Sequence, residues 1–267
     1  MSTSSGIEWT DVTWNPVLGC SICSPGCHNC YAMAMARRLK GVAQSMLKRG
    51  ENPGRLRHYI EVIGDDGRWN GKVVLVEEAL ADPQRWPRPR NVFVNSMSDL
   101  FHENLDPGSI RRVCEAMAAV PRHTFQVLTK RAARMAALLA GELRQFAALP
   151  HVWWGVSVEN RRHGLPRVEA LRAAPVANRF LSVEPLLEDL GEFDLAGIHW
   201  VIAGGESGPC ARLLQEAWVR RVRDQCERAG IPFFFKQWGG RNKKAAGRVL
   251  DGRTHDDMPG RVPLAVL

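Results

Sequence analysis

Four cysteines, Cys20, Cys23, Cys27 and Cys30, fall within eleven residues of a chain that has seven. An odd total cannot pair off internally, and such clustering in a cytosolic chain favours a metal over disulfides. Two trios can be read from the segment: Cys23 with Cys27 and Cys30, or Cys20 with Cys27 and Cys30. Three thiolates on one loop can hold three irons of a 4Fe–4S cube and leave the fourth iron open to an outside ligand. Zinc usually takes four ligands; Cys20, Cys23, Cys27 and Cys30 supply them, or His28 replaces one. Disulfides are the third reading. Cys114, Cys210 and Cys226 lie apart from the cluster and read as ordinary core or surface thiols.

A loop of this kind has to be presented by a scaffold, and the rest of the chain has a rhythm that supplies one. Short, nearly continuous apolar runs recur at Val73–Val76, Val92–Asn95, Phe125–Thr129, Val152–Val158, Arg179–Val183, Trp200–Ala203 and Pro232–Lys236. The segment Val12–Cys20 adds one more. Strands buried on both faces of a parallel sheet look like this. Helix-compatible stretches follow at Ala32–Lys40, Gly108–Ala119, Arg131–Ala148, Gly164–Ala173 and Leu213–Ala229. The alternation predicts an α/β fold, a parallel-stranded (β/α) barrel, complete or partial, with a doubly wound sheet as the alternative. One barrel domain is expected over residues 1–239, with the cysteine loop at 19–31, an insertion near 50–69, and a basic, loosely ordered tail over 240–267.

In such barrels chemistry sits at the C-terminal ends of the strands. Here those ends are polar: Ser96, Ser98 and Asp99; Thr129, Lys130 and Arg131; Ser157, Glu159 and Asn160; Ser182 and Glu184; Gly204, Gly205, Glu206 and Ser207; Lys236, Gln237 and Trp238. Carboxylates, hydroxyls and lysines converging from many strands point to a bound polar ligand. The Gly204–Ser207 turn can cradle an anion through its backbone N–H groups, or is simply a tight turn. Lys130 and Arg131 can meet an anion at a helix N-terminus, or are solvated first-turn cations. Glu159 and Glu184 read as ligand contacts or as structural partners of an arginine. In the segment 85–90, Arg85, Trp86 and Arg88 interleave cations with an indole, a pattern suited to phosphate and base; the alternative is a stiff linker.

The balance of 36 Lys plus Arg against 28 Asp plus Glu leaves a net charge of +8, which draws a chain to polyanions. With 45% hydrophobic and 24% charged residues, a disordered chain and a fibre are excluded. No apolar run approaches the roughly 20 residues of a membrane span. The first residues carry no secretory signal, so a cytoplasmic location is expected.

Longer stretches carry a resemblance. They include Thr13-Trp14-Asn15-Pro16, Ser24-Pro25-Gly26-Cys27-His28-Asn29-Cys30-Tyr31, Phe93-Val94-Asn95-Ser96-Met97-Ser98-Asp99, Trp154-Gly155-Val156-Ser157-Val158-Glu159-Asn160, Leu181-Ser182-Val183-Glu184-Pro185 and Gly204-Gly205-Glu206-Ser207. Through them nearly the whole chain resembles a radical-SAM-like phage and prophage protein family of unknown function. That family is distantly similar to spore photoproduct lyase, a radical enzyme that mends ultraviolet-damaged spore DNA. Its shared cysteines match Cys20, Cys27 and Cys30, with Cys23 as an additional thiol and alternative ligand. The resemblance implies a 4Fe–4S cluster that chelates S-adenosylmethionine (SAM) and cleaves it to a 5′-deoxyadenosyl radical. It further implies cofactor contacts from Tyr31, Ser157, Glu159, Asn160, Ser182, Glu184 and Gly204–Ser207. Substrate contacts are expected from Arg85, Trp86, Arg88, Ser96, Ser98, Asp99, Lys130, Arg131, Lys236, Gln237 and Trp238. DNA or another nucleic acid is the implied substrate, and a three-Cys-motif protein, encoded beside family members, is an implied partner. Two departures stand out. Asn29 replaces the superfamily's aromatic residue before the last cysteine, and the Gly-Gly-Glu triplet comes after a late strand rather than an early one. A metal-stabilised nucleic-acid-binding or scaffold protein without SAM turnover is the competing reading.

Overall fold

In a computed structural model that describes residues 5–260, the apolar runs become strands. They are β1 (Val12–Trp14), β2 (Val17–Leu18), β3 (Val74–Leu75), β4 (Asn91–Val94), β5 (Thr124–Thr129), β6 (Val152–Ser157), β7 (Asn178–Val183), β8 (Trp200–Gly204) and β9 (Phe233–Gln237). Seven of them form one sheet in the order β1-β4-β5-β6-β7-β8-β9, every neighbour parallel. Because the spatial order follows the chain order, the sheet winds in one direction as a barrel does. The edge strands β1 and β9 do not pair with each other. The architecture is therefore a curled partial barrel; the doubly wound alternative would require a reversal of strand order, which is absent among the described residues.

The period-2 alternation along each strand separates two faces. Outward residues such as Val92, Val94, Phe125, Val127, Trp154, Leu181, Val201 and Phe235 join the main core. There they meet α3 (Pro107–Ala118), α4 (Ala132–Ala140), α6 (Arg161–Ala173) and α7 (Glu216–Ala229) through Ile110, Met135, Leu171 and Val222. Inward residues Phe93, Trp153, Phe180, Trp200, Ile202 and Phe234 close around Trp9 and fill the concave side. Gly155 is needed there: it lies in register with Phe180, and a Cβ on it would stand 2.3 Å from that ring. Further along the same inward rows the side chains turn polar, with Lys130, Ser157, Ser182 and Lys236. Aromatic packing thus plugs the lower part of the half-barrel and leaves a polar mouth at the C-terminal strand ends.

Some sequence-based expectations gain detail and others need correction. Val73–Val76 does not enter the main sheet; β3 pairs antiparallel with β2 in a separate two-stranded ribbon. The helix expected over Arg131–Ala148 breaks at Gly141 into α4 and α5 (Arg144–Ala147). The insertion near 50–69 contains α2 (Arg57–Val62), which packs Tyr59, Val62 and the following Ile63 against Ala32 and Ala36 of α1 (Tyr31–Lys48). The tail is not loose up to residue 260. It carries α8 (Lys243–Ala246), buries Leu250 and His255, and sets His255 against the Phe233 ring at 5.7 Å. No helix among the described residues is long and apolar enough to cross a membrane.

Candidate functional site

The cysteine loop leaves the ribbon at Gly19, whose φ of +97° and closeness to the Lys72 carbonyl exclude any side chain. It then lies over the strand ends and is fastened from four sides. From the loops after β4 and β5, His102 Nε2 meets Ser21 Oγ at 2.8 Å, and Arg131 Nη2 donates to the same oxygen at 2.9 Å. After β6, the Glu159 side chain packs beneath Gly26, where a Cβ would come within 3.3 Å of it. After β8, Asn29 Nδ2 donates to Glu206 Oε2 at 2.9 Å and to the Cys210 carbonyl at 2.9 Å. Arg212 completes this last attachment: Nε donates to Glu206 Oε2 at 2.9 Å and Nη2 to the Pro25 carbonyl at 3.0 Å. Curling of the sheet is what brings residues so distant in sequence together.

The four thiols share this environment without being equivalent. Cys23 is exposed; Cys20, Cys27 and Cys30 are half-buried. Cys23 Sγ lies 3.9 Å from Cys27 Sγ, and Cys20 Sγ lies 3.7 Å from Arg131 Nη1. The hydrogen bond shared with Cys23, with the Lys130 charge, lowers the Cys27 thiol against the effect of burial. Burial, with Asp99 adding to it, pushes Cys20 up to about 12 although Arg131 opposes. Burial also raises Cys30. Cys30 is the N-cap of α1, and the Met33 and Ala32 N–H groups of that helix N-terminus partly offset the rise. Among the described residues, no group of three or more His, Cys, Asp or Glu side chains is placed to hold a single metal ion.

Beside Cys30 opens a cavity of about 300 Å³. Its apolar side is Ile7, Trp9, Phe93 and Leu128; its polar side is Lys130, Ser157, Ser182, Glu184, Lys236 and Glu206. Such a lining, mostly apolar with a few convergent polar groups, is that of a small-molecule site. Ser157 and Ser182 face each other in register across β6 and β7. Glu184, which follows β7 and precedes a cis proline, pairs with Lys236 Nζ at 2.8 Å and accepts from Ser182 Oγ at 3.3 Å. Lys130 enters the cavity without an ion pair within 4 Å among the described residues.

Of the residues expected to contact a cofactor, Tyr31, Ser157, Ser182, Glu184, Gly205, Glu206 and Ser207 line the cavity. Glu159, Asn160 and Gly204 do not. Glu159 is fully buried in an ion pair with Arg167 at 2.5 Å, and Asn160 caps α6 by accepting from the His163 N–H at 2.9 Å. In the Gly204–Ser207 turn one N–H of the expected cradle is already engaged. The Gly205 N–H donates to the Gln237 carbonyl, and a Cβ on Gly205 would meet the Trp238 carbonyl at 2.0 Å, so that glycine serves the close approach of two strand ends.

Among the expected substrate contacts, Lys130, Lys236 and Gln237 line the cavity. The others are held elsewhere. Ser96 Oγ and Ser98 Oγ bond Asn15 Oδ1 and the Val17 carbonyl, which joins the first two loops. Asp99 is buried, accepts from Thr129 Oγ1 at 2.6 Å and the Lys130 N–H at 2.9 Å, and itself supplies the anion at the start of α4. Arg131 is buried against Asp99 and the cysteine loop, and the Trp238 indole donates to the Val249 carbonyl. Arg85, Trp86 and Arg88 need a larger correction. They lead into the N-terminal end of β4, at the opposite end of the barrel from the mouth. Trp86 is a core residue packed on His123 at 5.6 Å, and Arg85 pairs with Asp82. Ser21, Asn29, His102 and Arg212 orient the loop, and nothing in their local sequence assigns them that role.

Fold and site together define an α/β partial-barrel protein that presents a thiol-rich loop over a ligand-sized cavity. The chain belongs to the family described as a protein of unknown function, DUF5131, whose model matches residues 4–259. No curated protein matches it. Among solved structures it is similar to a mutant of spore photoproduct lyase with dinucleoside spore photoproduct and to that lyase complexed with the same compound. Each is 14% identical, with a TM-score of 0.46 over 85% of this chain. The chain spans 64% of the length of those lyase chains.

Proposed function

We propose that this chain is a radical-SAM-type enzyme acting on nucleic acid, with Cys20, Cys27 and Cys30 as the ligands of a 4Fe–4S cluster and SAM in the adjoining cavity. The observation that carries the reading is the placement of the cysteine loop, through Gly26, Asn29 and Cys30, against a cavity of about 300 Å³ at the C-terminal mouth of the half-barrel. The donor set fits the group. Thiolates are the ligands such clusters take, and a cube spreads its ligands further apart than one tetrahedral ion does. Lys130 and Arg131 add positive charge where deprotonated sulfurs must gather.

When bound, the cluster supplies one electron to SAM and so opens radical chemistry on the substrate. The chain's own residues do the rest. Cys30 marks the boundary between loop and cavity. The Glu184–Lys236 pair and Ser182 offer both signs of charge and a hydroxyl to the amino and carboxylate groups of an amino acid. Ile7, Trp9, Phe93 and Leu128 exclude water from one side of the cavity. A nucleic-acid substrate is supported by the net charge of +8 and by the exposed Tyr31 ring beside the cavity, a surface on which a base can stack.

The test is anaerobic reconstitution followed by reduction with dithionite in the presence of SAM. Release of 5′-deoxyadenosine that is lost in Cys27→Ala supports the assignment. Protein that carries a cluster, binds SAM and releases none overturns the turnover; salt-sensitive nucleic-acid binding by the same protein then favours a binding or scaffold role.

A further inference from the structure

We infer that Arg131 is a positioning residue for the cluster that acts through Cys20; this rests on the reading of Cys20, Cys27 and Cys30 as ligands. Its guanidinium grips the start of the cysteine loop at several atoms. Nη1 lies 3.7 Å from Cys20 Sγ, while Nη2 donates to Ser21 Oγ at 2.9 Å and to the Ser21 carbonyl at 3.3 Å. The guanidinium is also anchored: Nη1 is 3.2 Å from Asp99 Oδ2, Nε is 3.3 Å from Glu103 Oε1, and Asp99 is fixed in turn by Thr129 Oγ1 and the Lys130 N–H. The Arg131 side chain is only 5% exposed, so this arrangement is part of the packed interior and not a surface encounter.

The contact distinguishes the cysteines. Cys20 has a guanidinium donor, whereas Cys23 is exposed and has the Cys27 sulfur as its hydrogen-bond partner. Outer-shell groups of this kind orient a metal's ligands, and their loss typically costs about 10- to 100-fold in metal affinity. A cation that donates an N–H bond to a ligand sulfur also stabilises the more negative, reduced cluster, which raises its potential. Lysine cannot replace it. An ammonium is one point of charge and can pair with Asp99, but it cannot span Asp99, Ser21 and Cys20 together.

The experiment compares wild type, Arg131→Lys, Arg131→Met and Arg134→Met after anaerobic reconstitution. Iron and sulfide per chain, loss of iron to a chelator and the midpoint potential by redox titration are measured. Arg134, which among the described residues bonds the His102 and Leu105 carbonyls, controls for loss of a nearby cation. Arg131→Lys, which keeps the charge beside Asp99, is expected to fold, to lose iron about tenfold faster and to titrate at a more negative potential. Arg131→Met is expected to show larger shifts in the same direction, and Arg134→Met to match wild type. If Arg131→Met does not fold, Arg131→Lys decides alone. Wild-type iron retention and potential in Arg131→Lys overturn the inference while leaving the cluster in place. Wild-type protein that takes up no iron overturns the cluster reading itself, and the inference with it.

Discussion

Replacing Arg167 by methionine should strand a carboxylate in the interior beneath the cysteine loop. Glu159 is 0% exposed, Arg167 Nη1 holds its Oε2 at 2.5 Å, and Oε1 is buried without a hydrogen-bond partner. Arg167 also donates to the Ser157 carbonyl at 2.9 Å. Removing one member of such a pair typically costs about 3–5 kcal/mol, because the remaining charge is buried without compensation. The pH dependence follows from the same contacts. Burial pushes the Glu159 carboxyl up, but the Lys130 and Arg167 charges hold it below the ordinary value. In wild type its contribution is therefore present above the unfolded value of about 4.3 and is lost as pH falls through the lower native value. Without Arg167 only the Lys130 charge and the Ser24 hydroxyl still oppose burial, so the native carboxyl rises and its protonation relieves the variant. Urea unfolding of the metal-free proteins should thus give a deficit of about 3–5 kcal/mol at pH 7 that shrinks at pH 5. Glu159→Gln in the same background should restore most of it at pH 7. A deficit below about 1 kcal/mol, or one equal at both pH values, would refute the reasoning.

Other outcomes follow from single contacts. Gly155→Ala drives a methyl into the Phe180 ring and should lower stability by about 1–3 kcal/mol in thermal melts. Trp86→Ala should cost about 3–5 kcal/mol as a core truncation, while Arg88→Ala should leave nucleic-acid affinity unchanged in a fluorescence titration, since that segment lies away from the mouth. Glu184→Gln removes the charge that pairs with Lys236 and faces the cavity; SAM binding measured by calorimetry should weaken by roughly tenfold, about 1.4 kcal/mol.

What the sequence discloses depends on how local the cause is. The runs at Phe125–Thr129, Val152–Val158 and Trp200–Ala203 are legible because both faces of these strands are buried, so nearly every residue is apolar. Val73–Val76 has the same composition and a different fate, since nothing in four residues tells a main-sheet strand from a short ribbon. The end of the barrel at which the Arg85–Arg90 segment lies is readable: it precedes the strand, and only segments that follow a strand reach the mouth. Glu159 and Arg131 look like ligand contacts in isolation. Their partners Arg167, Asp99 and Cys20 occupy them, and those pairings arise from helix packing and from curling of the sheet. Asn29, Glu206 and Arg212 lie at opposite ends of the chain and meet only because the last loops of a half-barrel lie beside the first.

The most direct measurement is the iron and acid-labile sulfide content of wild type, Cys20→Ala and Cys23→Ala after anaerobic reconstitution. The account requires about four irons per chain in wild type and in Cys23→Ala, and their loss in Cys20→Ala. Iron kept by Cys20→Ala and lost by Cys23→Ala, or a colourless wild type with one zinc per chain, would contradict it.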